Sequence, residues 1–76
     1  MAHHTLDTQG LLCPMPVIKT QNKIKELAIG DTLEVTASDP GVMHDIPAWC
    51  RINGHTIVES SKEKRLCTIL IEVCDS

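Results

Sequence analysis

Cys13 lies in the stretch DTQGLLCPMPVIKT, residues 7–20, and is followed by Pro14 and Pro16. Proline has no amide hydrogen and a fixed φ, so it suits the first turn of a helix, where amides lack intrahelical acceptors. With Pro14 at the first helical position, Cys13 becomes the N-cap, a place that Ser, Thr, Asp or Asn fill better than a thiol does. The free amides of a helix start favour thiolate over thiol, and cysteines so placed titrate as low as roughly 3.5 to 7.5 instead of about 8.5. The pattern therefore predicts an ionised sulfur held stiffly by two prolines. Lys19 adds positive charge only if its side chain folds back.

Amide or ester hydrolysis by such a thiolate needs a general base and an oxyanion hole, and no Asp/His pair flanks Cys13 in the sequence. Exchange at sulfur needs neither, because a thiolate attacks and a thiolate departs. Sulfur-to-sulfur transfer is the economical chemistry. The competing reading is a cysteine buried for packing, which is common for this residue type.

The remaining cysteines, Cys50, Cys67 and Cys74, form no CxxC and no Cys/His pair at metal-ligand spacing. His3 and His4 are adjacent, which suits an expression remnant or a solvated start better than a site. No metal and no cofactor is expected. The N-terminus lacks the basic-then-apolar plan of a signal peptide and no segment is apolar enough to span a bilayer, so a cytoplasmic setting with free thiols is expected. A net charge of -3 and a single aromatic residue, Trp49, argue against a phosphate-binding or base-stacking surface.

The elements that must hold Cys13 follow from periodicity. Residues 3–8 read as a first strand closing at Gly10. After Pro14, Val17, Ile18, Ile24, Leu27 and Ala28 fall near helical spacing with Lys19, Asn22, Lys23 and Glu26 opposite, and Gly30 ends the helix. Residues 31–38 alternate strictly, the mark of a strand with one packed face. Asp39-Pro40-Gly41 turns the chain. Pro47 would kink a long helix, so the pattern predicts a loose turn over 40–45 and a helix from about Ile46 to Asn53, with Pro47 in its first turn. Residues 55–60 and 66–73 read as strands joined by SKEKR, with Cys67, Ile69, Ile71 and Val73 on one face and Cys74 a frayed end.

This order gives an α+β domain over residues 1–76, a two-layer β-α-β-α-β-β sandwich with a mixed four-stranded sheet and two helices on one face. Its size leaves little room for a long cleft, so chemistry belongs at a loop or helix end on the rim.

Three blocks carry a family resemblance: DTQGLLCPMP at 7–16, GDTLEVTASDP at 30–40 and DIPAWC at 45–50. In this order and spacing they resemble the TusA/SirA-like sulfur carrier proteins. The resemblance implies the same two-layer fold and a persulfide carried on Cys13. It implies a cysteine desulfurase or rhodanese as donor, and a DsrE/TusD-type complex as acceptor. It leaves the pathway open between tRNA thiolation, molybdenum-cofactor and iron-sulfur supply, and sulfur oxidation. A monomer with transient docking is expected.

Around Cys13, Gly10, Pro14 and Pro16 are expected to support the site, and Lys19 and Lys23 are candidates for docking an acidic partner rim, against a default of a solvated face. Asp39 and Asp45 read as helix caps. Cys50 reads as core, or as a resolving thiol if the second helix lies near Cys13, and Trp49 reads as core. The alternative function is a nucleic-acid-binding or regulatory module without transfer chemistry, and a third is a structural subunit of a sulfur-handling complex.

Overall fold

Alternating strands that each offer one apolar face must share a single covering layer. In the computed structural model, which describes residues 2–74, that layer is a pair of helices. The order is β1 (His3–Thr8), α1 (Met15–Ile24), β2 (Thr32–Ala37), α2 (Val42–Asn53), β3 (Thr56–Glu63) and β4 (Leu66–Glu72). The sheet runs β1-β2-β4-β3, with β1 parallel to β2 and β4 antiparallel to both its neighbours. β3 is therefore parallel to β2 with β4 inserted between them, and each helix is the crossover of a β-α-β unit. This is the α+β architecture with a mixed four-stranded sheet that the element order implies.

The inward positions of β2 and β4, Leu33, Val35, Ala37, Ile69 and Ile71, are all at most 1% exposed. Ile46 and Cys50 of α2 close over them without residual exposure. Each buried Leu, Ile or Val contributes about 1.5–3 kcal/mol of transfer free energy. The core is thus aliphatic, and Trp49 only borders it, half-buried and stacked on His55 with ring centroids 5.5 Å apart.

Two helix boundaries differ from the sequence reading by several residues, and the start of α1 by one. α1 buries Pro16, Thr20 and Ile24, spaced by four, while Ile18 and Ala28 face solvent. It ends at Ile24, four residues before Ala28. Glu26 N–H and Leu27 N–H close tight three-residue bonds onto Lys23 and Ile24 carbonyls, and the Asp31 carboxylate takes the Ala28 N–H. The donor that a further turn would have used is thereby captured by a side chain. α2 instead begins early, at Val42. Asp39 Oδ1 accepts the Gly41 N–H, and Val42 and Met43 close onto the Asp39 and Pro40 carbonyls, which nucleates the first turn inside the stretch expected to be loose. Pro47 is consequently interior, as the sixth helical residue, and withholds one donor from Met43.

The hairpin is tighter than SKEKR suggested. Ser61, Lys62 and Glu63 pair with Thr68, Cys67 and Leu66, leaving a two-residue turn with Lys64 at φ 56°. The polar residues are all exposed on an edge strand, which a composition argument reads as loop. Cys67, Ile69, Ile71 and Val73 do share the buried face. The adjacent histidines are built in: His3 Nδ1 lies 2.8 Å from Thr32 Oγ1, and His4 Nε2 lies 3.2 Å from Asp31 Oδ2.

Candidate functional site

Cys13 sits on the rim where β1 hands over to α1, at the same end of the sheet as the β2–α2 turn. Pro14 is the N-cap and Met15 the first helical residue, so Cys13 stands one position outside the cap rather than in it. Pro14 is exposed and Pro16 is buried against the core. The Cys13–Pro14 peptide is cis.

Two carboxylates from elsewhere in the chain reach the cysteine. Its backbone N–H donates to Asp39 Oδ2 at 2.9 Å, and its Sγ–H donates to Asp45 Oδ2 at 3.1 Å. Asp45 is the fourth residue of α2 and makes no cap bond, whereas Asp39 also holds the Gly41 N–H at 3.0 Å. Asp39 is thus a hinge pin between two loops, and its carboxyl titrates below the usual range because the Gly41 and Cys13 amides stabilise the anion.

The thiol shift has the sign opposite to that expected from the helix start. The hydrogen bond to Asp45 raises the Cys13 pKa, assisted by partial desolvation and by the charges of Asp45 and then Asp39. A hydrogen bond donated by S–H favours the protonated form, and anions beside the sulfur penalise a second anion. In the free protein, Cys13 is a thiol on hold.

Gly10 has φ 84°, and its N–H donates to Ser38 Oγ at 2.9 Å. A Cβ there would meet open space, so the backbone conformation, not crowding, calls for glycine. Ser38 was not legible as a site residue, since its role depends on a contact across 28 positions. Lys19 is exposed on α1, while Lys23 lies in the last turn, about 12 Å along the helix from Met15. Sequence reasoning also missed an apolar rim. Leu12, before Cys13, and Met15 and Ile18, early in α1, have 76%, 40% and 41% of their surface exposed, which sets them outside the core.

The other thiols are less accessible. Cys50 is buried, and burial pushes its pKa up to about 11. Cys67 is buried with its Sγ 4.0 Å from the Asp39 carbonyl. Cys74 is not frayed: its N–H donates to His55 Nδ1 at 3.1 Å and its sulfur lies 3.3 Å from Thr56 Oγ1. Among the described residues no three His, Cys, Asp or Glu side chains gather as a metal site, and no helix is long and apolar enough to cross a membrane. A cavity of about 290 Å³ opens at the far ends of α1 and α2, lined by Ile24, Leu27, Trp49, His55 and Cys74 among others, and does not include Cys13.

Comparison with known proteins shows what the whole chain resembles. The family described as "Sulfurtransferase TusA" matches residues 4–73. The putative sulfur carrier protein YrkI of Bacillus subtilis is 43% identical over 58 residues, 76% of this chain and 77% of its own. The sulfur carrier protein TusA of Pseudomonas paraeruginosa is 47% identical over 58 residues, 76% of this chain and 73% of its own. A crystal structure of a SirA-like protein from Desulfitobacterium hafniense superposes with TM-score 0.82, covering 95% of this chain and 99% of its own at 22% identity, which establishes the shared fold.

Proposed function

The chain belongs to the TusA family of sulfur carriers, and from that premise we propose that it accepts sulfane sulfur as a persulfide on Cys13 and hands it to a cysteine of a partner protein. The observation that carries this reading is the exposure of one sulfur. Of the four thiols, Cys50 and Cys67 are buried and Cys74 is half-buried, while Cys13 is exposed on a rim that a partner can reach.

In the exchange, the Cys13 sulfur attacks the outer sulfur of a donor R–S–SH. The new bond forms to that sulfur, the donor S–S bond breaks, and R–S⁻ leaves and takes up the proton that Cys13 gave up. The products are Cys13–S–SH and R–SH, with no net oxidation. Hand-over repeats the step with Cys13 as leaving group and the acceptor thiol as nucleophile. No cofactor enters either half-reaction.

Family membership implies protein partners in a sulfur relay. The donor is read as a cysteine desulfurase or a rhodanese and the acceptor as a DsrE/TusD-type complex, acting in the cytoplasm in tRNA thiolation or in dissimilatory sulfur oxidation. The carrier docks transiently as a single-domain monomer, with Leu12, Met15, Ile18 and Lys19 exposed from the Cys13 loop into the first half of α1. The nucleic-acid-binding alternative gains nothing from the surface around Cys13, where the nearest charges are carboxylates.

A relay assay tests the proposal. With a desulfurase, cysteine and an acceptor thiol protein, wild-type chain should carry sulfur to the acceptor and Cys13→Ser should not. Equal transfer by both would overturn it.

A further inference from the structure

We propose that Asp45 governs the reactivity of Cys13 and selects exchange partners by charge, so that a protein trading sulfur with Cys13 brings an Arg or Lys side chain beside its own cysteine. This rests on the reading of Cys13 as the exchanging sulfur and deepens it.

The geometry is specific. Asp45 Oδ2 is 3.1 Å from Cys13 Sγ, across 32 positions of sequence, and so touches the reacting atom itself. Asp45 makes no cap bond to α2, whose first amides already donate to the Asp39 carboxylate and to the Asp39, Pro40 and Gly41 carbonyls. Its carboxylate accepts from the thiol instead. Asp39, from the β2–α2 turn, stands on the Cys13 amide and adds a second anion to the same rim. The charged groups that act on this sulfur, Asp45 from α2 and Asp39 from the turn, are therefore both carboxylates.

The consequence is a latch. An anionic approach meets two like charges and a protonated sulfur. A cation that pairs with Asp45 removes both the acceptor of the S–H bond and the repulsion, and the sulfur is released to form the attacking thiolate. The proton then goes to the departing donor sulfur, as in the balanced exchange above. A sulfur kept protonated between encounters is also less open to stray oxidation, since the thiolate is the reactive form. Lys and Arg serve equally for charge, but Arg can additionally span both oxygens of the carboxylate.

The test uses small disulfides, so its outcome does not depend on whether Cys13 carries sulfur in the cell. Wild-type chain is reacted with cystamine, which has two ammonium groups, and with dithiodiglycolate, which has two carboxylates, and mixed-disulfide formation at Cys13 is followed by mass mapping with Cys13→Ser as blank. Wild type should favour cystamine, and the preference should shrink as salt is raised. Asp45→Asn, which keeps the side-chain shape and removes the charge, should cut the preference and speed alkylation of Cys13 by iodoacetamide roughly three- to tenfold. Asp45→Glu should restore part of the preference. Equal rates for the two disulfides in wild type, which needs no variant to fold, would overturn the proposal. So would an unchanged preference in a folded Asp45→Asn. A failed relay assay with an intact charge preference would count against the carrier reading alone.

Discussion

The backbone N–H of Cys13 donates to the Asp39 carboxylate at 2.9 Å, a tie between two loops 26 positions apart. It fixes the main chain under the thiol, while Asp45 fixes the thiol itself. The sulfur is positioned from outside its own helix.

Removing the tie should loosen the site before it unfolds the protein. Asp39→Ala loses the acceptors of both Cys13 and Gly41 amides. We expect a lower melting temperature and sulfur loading several-fold slower than wild type, with Asp39→Asn between the two because its single amide oxygen can accept only one of the two amides. Loading rates and circular dichroism melts of the two variants check this; identical behaviour of Asp39→Ala and wild type would deny the tie a role.

Asp39 and Asp45 show how far the sequence could be read. Both were legible as helix-start acids, and neither could be assigned to Cys13 from spacing, because the parallel crossover that joins them to it is a tertiary product. The expected sign of the thiol shift failed for the same reason: a helix start is a local feature, and the opposing carboxylates arrive from the next turn of the fold. Strand β2 was read correctly, since the alternation of Leu33, Val35 and Ala37 is written within six residues. Pro47 misled the placement of α2 because a proline weakens one bond of a helix that its own amphipathic packing through Val42, Ile46 and Cys50 still holds. Cys13 itself stood out, because a cysteine beside a proline-marked helix start is an unusual choice, although the cap falls on Pro14.

The aliphatic core should be unforgiving. Leu33 is completely buried on the central strand β2, and Leu33→Ala is expected to cost about 2–5 kcal/mol in transfer and cavity terms. A domain of this size has roughly 4–11 kcal/mol in all. Urea denaturation should show a midpoint reduced by about a fifth or more, and an unchanged midpoint would contradict the packing described for the sheet.

Acid should untie the N-terminal edge. Asp31 accepts the Ala2 and Ala28 amides and pairs with His4, and these contacts hold its carboxyl below the ordinary range despite some desolvation. A carboxylate with a lowered folded pKa contributes stability that is present above its unfolded value of about 3.9 and lost as pH falls through the folded value. Melting temperature should therefore drop on acidification below about pH 4, and Asp31→Asn should show a shallower drop. Parallel curves for the two proteins would rule out Asp31 as a contributor.

The four thiols should separate by reactivity under native conditions. Cys50, with its pKa pushed up to about 11 by burial, and Cys67, equally buried, should resist a thiol reagent until the protein is unfolded. Cys13 should react first and Cys74 more slowly. Peptide mapping after a short exposure to a thiol reagent checks the order, and early labelling of Cys50 would mean that α2 opens far more readily than its packing allows.

The carrier role itself is tested most directly by intact-protein mass spectrometry after incubation with a cysteine desulfurase and cysteine, and in parallel with a rhodanese and thiosulfate. The account predicts a gain of one sulfur atom in wild type that dithiothreitol removes and that Cys13→Ser does not show. No gain from either donor, or the same gain in Cys13→Ser, would contradict it.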